Sequence, residues 1–170
     1  MAKIYTREGD EGFTTRVGGI HLKKNHNIIK MCGALDELNC YIGVVLASHY
    51  HADTYTTLLT VQKDLFDLSL AVQEEKDVKN IDGKVAYLES QIDFYDAKND
   101  PLDEFIHPTG SKACAHLHYA RAICRRVEIM TIERFLCKIN SSLTRYLNRL
   151  GDLLFVMARY LNYDKERKIK

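Results

Sequence analysis

Residues 143–161 read Leu-Thr-Arg-Tyr-Leu-Asn-Arg-Leu-Gly-Asp-Leu-Leu-Phe-Val-Met-Ala-Arg-Tyr-Leu. Large apolar residues recur in this stretch at intervals of three and four, which is the period of one face of an α-helix. The stretch therefore predicts a long amphipathic helix that buries one stripe in a core. The stripe consists of Leu143, Leu147, Leu150, Leu154, Met157 and Leu161.

The same apolar period recurs in four earlier parts of the chain, separated by charged or polar breaks. It predicts helices from about residue 27 to His49, from about residue 53 to 75, across Val85–Tyr95, and from Ser111 to about Cys137. We expect Asp82 and Ser111 to cap the third and fourth helices, and Asn140–Ser142 to cap the fifth. Five helices joined by mostly short loops predict an all-α, antiparallel five-helix bundle.

Composition and charge narrow the class of protein. The chain has 170 residues, 46% of them hydrophobic, and a net charge of +1 from 24 basic and 23 acidic side chains. This balance gives no electrostatic reason to expect nucleic acid or a membrane as partner. No signal peptide is evident, and no apolar run approaches the ~20 residues that span a bilayer. We expect one cytoplasmic domain over residues 1–170, with an arm (1–25) and a helical bundle (26–163).

The arm is rich in glycine, with four of the chain's nine glycines between residues 9 and 19. Backbone N–H groups, hydroxyls and cations together suit a polyphosphate. No Walker A pattern is present, because no Gly-Lys-Ser/Thr follows these glycines. These residues alone leave open a flexible arm and a phosphate-binding loop. The side chains concerned are Thr6, Arg7, Thr14, Thr15, Lys23 and Lys24.

Three arginines lie close together in the predicted fourth helix, within Ala120–Glu128. Arg121, Arg125 and Glu128 are spaced to project from one face of that helix. Guanidinium forks match polyphosphate oxygens in geometry and charge, so the cluster is a candidate phosphate clamp. A solvated charged face would produce the same pattern, and the local sequence does not choose between the two.

The longest interruption, Ala97–Gly110, contains both prolines and two large apolar residues, Phe105 and Ile106. An apolar loop of this kind either covers an edge of the core or lines a pocket. Glu104–His107 is the sole Glu-x-x-His pair of the chain, whereas a di-iron site in a bundle needs two. Serine-hydrolase and zinc-protease motifs are also absent from the sequence.

Four separated segments stand in a fixed order along the chain. They are Lys-Ile-Tyr-Thr-Arg-Glu-Gly-Asp-Glu-Gly (3–12), Gly-Ala-Leu-Asp-Glu-Leu-Asn (33–39), Arg-Ala-Ile-Cys-Arg-Arg-Val-Glu (121–128) and Tyr-Leu-Asn-Arg-Leu-Gly-Asp-Leu-Leu-Phe (146–155). Together they resemble the PduO-type corrinoid adenosyltransferases over roughly residues 3–163. Each motif is modest alone, but four in register are highly specific.

The resemblance implies a transferase that moves the 5′-deoxyadenosyl group of ATP onto the cobalt of cob(I)alamin and releases triphosphate. It implies a ferritin-like five-helix bundle, and ATP, Mg²⁺ and cobalamin as bound groups. It also implies a homotrimer with active sites between subunits, and a reductase and an adenosylcobalamin-dependent acceptor enzyme as partners. Because cobalt(I) is the nucleophile, the protein needs only to orient the ribose and stabilise the triphosphate.

The resemblance also implies roles for individual residues, while Mg²⁺ would arrive with ATP and not through protein ligands. Arg121 matches the catalytic arginine, and Asp36 matches the aspartate that pairs with it across the subunit interface. Phe105 matches the aromatic that closes the lower face of the corrin ring. The nucleotide-binding positions are Thr6, Arg7, Glu8, Gly9, Thr14, Thr15, Lys24, Arg125, Arg126, Glu128 and Asn148.

Four positions depart from the family pattern. Thr109 stands where the family commonly has glycine, Ala34 where it has threonine, Ile129 where it has arginine, and Gly151 where it has serine. The departures at Ala34, Ile129 and Gly151 motivate a second hypothesis from another class, a catalytically silent bundle that binds ATP or corrinoid as a sensor or carrier.

Overall fold

Five α-helices and a small two-stranded sheet make up the chain in the computed structural model, which describes residues 4–48, 51–134 and 139–162. The predicted all-α five-helix fold is confirmed. Among the described residues, none of the helices combines the length and the hydrophobicity that a membrane span requires. The elements are β1 (Phe13–Thr15), β2 (His21–Lys23), α1 (Asn27–Ser48), α2 (Ala52–Glu74), α3 (Ile81–Asp96), α4 (Lys112–Arg134) and α5 (Ile139–Tyr160).

The core forms where α5 packs against α3 and α4, while α1 packs against α2 and α4. The predicted stripe of α5 faces this core, and its first five members are at most 1% exposed. The sixth, Leu161, is half-buried because it lies in the turn after the helix ends. Burial of each leucine contributes about 1.5–3 kcal/mol, so this stripe fixes the rotation of α5. The facing buried stripe of α4 consists of Ala113, Leu117, Ala120, Cys124 and Val127.

Of the two N-caps predicted for α3 and α4, only Ser111 of α4 is confirmed. Ser111 caps α4, because its Oγ accepts a hydrogen bond from the backbone N–H of Cys114 at 3.1 Å. The prediction for Asp82 was wrong: α3 begins at Ile81, after Asn80, so Asp82 lies in the first turn. Its carboxylate is occupied elsewhere, since it accepts a hydrogen bond from the guanidinium of Arg145 on α5.

The start of α5 also differs from the prediction. The helix begins at Ile139, so Asn140–Ser142 continue it and do not form its cap. Residues with short polar side chains favour caps but are tolerated in a helix, and here the helical backbone extends through them. Two predicted helix ends, His49 and Cys137, lie outside the described residues.

The arm contains an element that the sequence analysis did not predict. β1 and β2 form an antiparallel hairpin that pairs Phe13 with Lys23, Thr14 with Leu22, and Thr15 with His21. Each strand has only three residues, too few for a clear alternating pattern.

One polar cluster ties three helices together inside the bundle. Asp64 on α2 is 5% exposed and accepts hydrogen bonds from Lys84 Nζ on α3 at 2.5 Å and from Tyr146 Oη on α5 at 3.1 Å. Lys84 also donates to Asp67 at 2.8 Å. Burial lowers the pKa of Lys84, but its hydrogen bonds to the two carboxylates outweigh burial and leave the pKa raised. The ammonium therefore stays charged beside a nearly buried carboxylate.

We expect the substitution Lys84→Met to lower the free energy of unfolding by about 3 kcal/mol, because it leaves the Asp64 carboxylate buried without a cation. Urea unfolding followed by circular dichroism measures this change. The control Asp82→Asn removes only the exposed pair with Arg145 and should cost less than about 1 kcal/mol. Equal effects of the two substitutions would contradict the structural role of the cluster.

Candidate active site

The part of the arm before β1 forms an exposed turn that contains four of the predicted nucleotide-binding residues. The backbone N–H of Asp10 donates to the carbonyl of Arg7 at 3.2 Å, and the N–H of Glu8 lies 3.4 Å from the Thr6 hydroxyl. Arg7 has a φ of 65°, a left-handed conformation that costs a non-glycine residue of order 1–3 kcal/mol. Thr6, Arg7 and Glu8 are exposed and Gly9 is half-buried. The turn thus presents backbone and side-chain groups to solvent.

Lys24, at the far end of the hairpin, returns to this turn. Its Nζ donates to the Gly9 carbonyl at 2.7 Å, and its backbone N–H donates to the Gly12 carbonyl at 2.8 Å. A Cβ at Gly9 would lie 2.8 Å from the Lys24 Nζ and 3.2 Å from its Cε. The absence of a side chain at Gly9 therefore lets the lysine ammonium approach the backbone.

Thr14 and Thr15 lie on β1, between the turn and the tip of the hairpin. Thr14 is half-buried and pairs with Leu22 on β2. The exposed Thr15 hydroxyl lies 3.0 Å from Nδ1 of His21. The arm thus brings hydroxyls, backbone amides and one lysine into a single surface segment.

Arg16 was not among the predicted site residues. Its Nη1 donates to the Gln73 carbonyl at 2.5 Å, and its Nη2 lies 2.6 Å from the Glu75 Oε1. These contacts attach the hairpin to the end of α2. Gln73 is 57 residues further along the chain, and no local pattern reveals such a pairing.

The arginines of α4 surround a shallow surface cavity of about 490 Å³. Arg121 is half-buried, and its guanidinium carbon lies 5.2 Å from the ring centroid of Phe155 on α5, a cation–π contact. Arg125, one turn later, is exposed. Guanidinium groups around one cavity suit an oxygen-rich anion. The cavity is lined by Arg121, Ala122, Arg125, Arg126, Ile129 and Met130.

Contacts with α1 and α5 orient two other predicted site residues of α4, Arg126 and Glu128. Arg126 points toward α1, where its Nη2 lies 2.6 Å from the Glu37 Oε2. Glu128 points toward α5, where its Oε1 accepts a hydrogen bond from the Asn148 Nδ2 at 3.2 Å. The Asn148 Oδ1 in turn accepts from Arg149 at 2.6 Å, which fixes the orientation of the amide.

Arg149 connects this network to a third helix. Its Nε donates to the Glu89 Oε1 of α3 at 2.9 Å. Glu128 and Asn148 are therefore held by a chain of polar contacts that crosses α4, α5 and α3. Arg149 belongs to the sequence motif at residues 146–155, but it was not among the predicted site residues.

Asp36 and Arg121 line different cavities within one chain. It is exposed on α1 and lines a groove of about 390 Å³ between α1 and α2, together with Gly33, Phe66 and Gln73. In the described part of the chain, no ion pair joins Asp36 to Arg121 or to another cation. Within the same residues, no hydrogen bond or ion pair joins the arm to the arginines of α4.

Phe105 lies in the loop between α3 and α4 and is 86% exposed. It does not cover an edge of the core of its own chain, which was one of the two interpretations of this loop. Ile106, the next residue, is half-buried. An aromatic ring held in solvent is available to a ligand or to another protein chain.

The site offers charge and hydrogen bonds but no evident nucleophile. Burial raises the pKa of the Cys124 thiol, nearby Glu128 and Asp152 raise it further, and Arg121 and Arg125 lower it by less. This thiol donates to the Leu147 carbonyl and stays protonated at neutral pH. No group of three or more His, Cys, Asp or Glu side chains suited to a metal ion occurs in the part of the chain that the structure describes.

Comparison with known proteins identifies the family. A family model described as cobalamin adenosyltransferase matches residues 4–161. The chain belongs to the cobalamin adenosyltransferase family. It is 40% identical over 168 residues to a corrinoid adenosyltransferase of Bacillus subtilis, an alignment that covers 94% of this chain and 86% of that protein. It is also 40% identical over 166 residues to a cobalamin adenosyltransferase of Cupriavidus metallidurans, with 95% and 89% covered.

Solved structures agree with this assignment. A variant PduO-type ATP:corrinoid adenosyltransferase from Lactobacillus reuteri, complexed with cobalamin and ATP, has a TM-score of 0.89 and 30% identity, and 98% of both chains is covered. The predicted family, enzyme class and function, adenosyl transfer with ATP and cobalamin as substrates, are confirmed. A silent sensor or carrier bundle is less well supported, because the relatives are named as transferases.

We expect Lys24→Met to raise the KM for ATP by about tenfold, because it removes the ammonium from the turn. Gly9→Ala should raise it by less, because the end of the flexible lysine side chain can shift away from the added Cβ. The double variant should be little worse than Lys24→Met alone, since both act on one contact. Steady-state kinetics measures the KM values. Lys30→Met, which changes an exposed lysine of α1, is the control. Additive effects of Gly9→Ala and Lys24→Met would contradict the shared contact.

Proposed function

We propose that this chain transfers the 5′-deoxyadenosyl group of ATP to a reduced corrinoid at a site formed by the arm, Asp36 and the arginines of α4. The observation that carries this proposal is a cavity lined by three arginines, in a member of the cobalamin adenosyltransferase family. The proposal includes the division into a nucleotide-binding arm (1–25) and a helical bundle (26–163).

The chemistry explains why such a site needs no base. Cobalt(I) supplies the electron pair that forms the cobalt–carbon bond at C5′ of ATP. The C5′–O bond breaks, and its electrons leave with the triphosphate. No proton is transferred, so the protein acts by placing the two substrates and by stabilising the leaving group. Charged groups that contact the triphosphate strongly in the transition state therefore contribute most to the rate.

Several side chains suit that task. Lys24 and the turn formed by residues 6–9 would bind the phosphates, together with Thr14 and Thr15. On α4, Arg125 and Arg126 would add guanidinium forks, and Mg²⁺ carried by ATP would neutralise part of the negative charge. Glu128 and Asn148, already oriented by hydrogen bonds, would fix the nucleoside part.

Arg121 and Asp36 would complete the site across a subunit boundary. The guanidinium of Arg121 is stacked on Phe155 and makes no ion pair among the described residues of its own chain. Asp36 likewise lacks a cation there and lines a groove. A neighbouring copy that placed its α4 in this groove would pair the two charges, at the position where triphosphate departs.

The surface around the groove supports such an assembly. Phe66 on α2 lines the groove and is 65% exposed, and Leu59 and Leu70 of the same helix are also exposed. On α1, Val44 is exposed as well. Apolar and aromatic residues exposed together are typical of surfaces between subunits. We propose a homotrimer with one site at each boundary.

Phe105 is the residue that we propose for the corrinoid. An aromatic ring beneath the corrin would exclude water and the lower axial ligand, which makes reduction of cobalt(II) easier. A reductase and an acceptor enzyme for adenosylcobalamin are the partners that this reaction requires. The cytoplasmic location stays a prediction.

An activity assay tests the proposal directly. With ATP, Mg²⁺ and chemically reduced cobalamin, we expect wild-type protein to form adenosylcobalamin, followed by its visible spectrum. Arg121→Lys should be slower by at least about 100-fold, because lysine cannot form the two-point contact of a guanidinium. Asp36→Asn should lower kcat in the same direction, because it removes the charge that holds Arg121.

Arg145→Lys is the matched control for this experiment, since Arg145 makes an exposed ion pair with Asp82 outside the proposed site. It should turn over at the wild-type rate. Wild-type protein that binds ATP tightly without forming product would favour a silent carrier and reject the transferase.

Light scattering tests the assembly separately. We expect a mass of about three times 19.6 kDa for the wild type. Phe66→Asp places a charge on the apolar surface, so it should give monomers that lack activity. Asp36→Asn should remain trimeric. A monomeric wild type with full activity would overturn the shared site.

A further inference from the structure

The hairpin of the arm is too small to hold its own position. It pairs only three residues on each strand, and an isolated two-stranded hairpin is at best marginally stable in water. Within residues 13–24, only Thr14, Arg16 and Leu22 are even half-buried. Some contact with the helices must therefore set where the hairpin lies.

Arg16 supplies such a contact at the end of α2. Its side chain is only 10% exposed, and its two terminal nitrogens make separate contacts, one with the Gln73 carbonyl and one with the Glu75 carboxylate. The carbonyls at a helix C-terminus carry partial negative charge and need donors. Ala71 and Val72 receive theirs from the backbone after the helix, and Gln73 receives its donor from Arg16.

The backbone of Arg16 is hydrogen-bonded within the hairpin, whereas its side chain contacts α2. Its N–H donates to the Ile20 carbonyl at 3.0 Å, and its carbonyl accepts from the Gly19 N–H at 3.1 Å. Gly18 and Gly19 have φ values of 89° and 78°, which close the tip of the hairpin. Arg16 thus links the hairpin to the end of α2.

No other polar contact of the hairpin reaches the bundle in the part of the chain that the structure describes. The remaining hydrogen bonds of residues 13–24 join them to one another or to residues 9–26. Gln73, which accepts from Arg16, also lines the groove that contains Asp36. The contact therefore attaches the arm at one end of that groove.

We propose that Arg16 is a positioning residue that holds the arm in its nucleotide-binding place relative to Asp36. The inference rests on the proposed function of the arm. Arg16 itself does not touch substrate, because its side chain is only 10% exposed and both of its terminal nitrogens contact residues at the end of α2. Its contribution is to keep the arm assembled before ATP arrives.

The expected effect follows from the population of the anchored arm. When only a fraction of molecules is competent to bind, the apparent affinity equals the intrinsic affinity multiplied by that fraction. If Arg16→Met leaves about one molecule in ten with the arm in place, the KM for ATP rises about tenfold. The KM for cobalamin and kcat at saturating ATP should change less than about twofold, since bound ATP restores the arm.

Two measurements on the full-length protein test this inference. Hydrogen exchange followed by mass spectrometry should show faster exchange over residues 12–24 in Arg16→Met, with the midpoint of urea unfolding nearly unchanged. Steady-state kinetics should show the rise in KM for ATP. Arg16→Lys should be intermediate, because one ammonium can reach either Gln73 or Glu75 but does not match the fork.

Glu75→Gln removes the carboxylate charge that Arg16 contacts. It should raise the KM for ATP and the exchange rate over residues 12–24, but by less than Arg16→Met does. Arg145→Met, which loses an exposed ion pair, is the control and should behave as wild type. Unchanged exchange and unchanged KM for ATP in Arg16→Met would overturn the inference. A joint loss of kcat, both KM values and stability would also overturn it, since that result describes a residue needed only for folding.

The result separates this inference from the proposed function. An inactive wild type would reject the transferase, while exchange over residues 12–24 would still decide whether Arg16 anchors the arm. An active wild type with no change in Arg16→Met would reject the positioning role alone.

Discussion

Packing of α4 against α5 is the interaction on which the other features depend. Their apolar stripes are almost completely buried against each other, and the Cys124 thiol donates to the Leu147 carbonyl across the contact. Since these stripes fix the rotation of both helices, they also fix which side chains point outward. Arg121 is thereby placed over Phe155, and Glu128 is placed opposite Asn148. The core thus sets the geometry of the charged surface.

The helices could be predicted from sequence because their signal is local and repeated. A stripe of three to six apolar residues at helical spacing still predicts a helix when one position does not fit. The buried row from Leu143 to Met157 is an example of such a stripe. The sequence signal for the end of a helix consists of only one or two residues, so tertiary contacts override it. Asp82 fits a cap by type but pairs with Arg145 of another helix, and Asn140 continues a helix that it could have capped.

The candidate site was predictable only as a set of residues, through the resemblance to a family, and not as an arrangement. The spacing of Arg121 and Arg125 indicates a shared face, but it does not reveal Phe155 beneath the first guanidinium. The hairpin and its attachment through Arg16 rest on contacts between distant parts of the chain. Asp36 and Arg121 need a second copy to meet under our proposal, and one sequence does not contain that information.

The sequence separation between Arg16 and its acceptor at Gln73 has a consequence for the order in which the protein folds. Gln73 follows Arg16 by 57 positions, and the chain between them must first form α1 and most of α2, because the acceptor carbonyl exists in place only at the end of a folded helix. The hairpin therefore docks late in folding, on a surface that is already built. By the same reasoning it detaches early, in a local opening that leaves the bundle intact and costs less than global unfolding. A molecule whose arm has detached would still look folded to most structural probes.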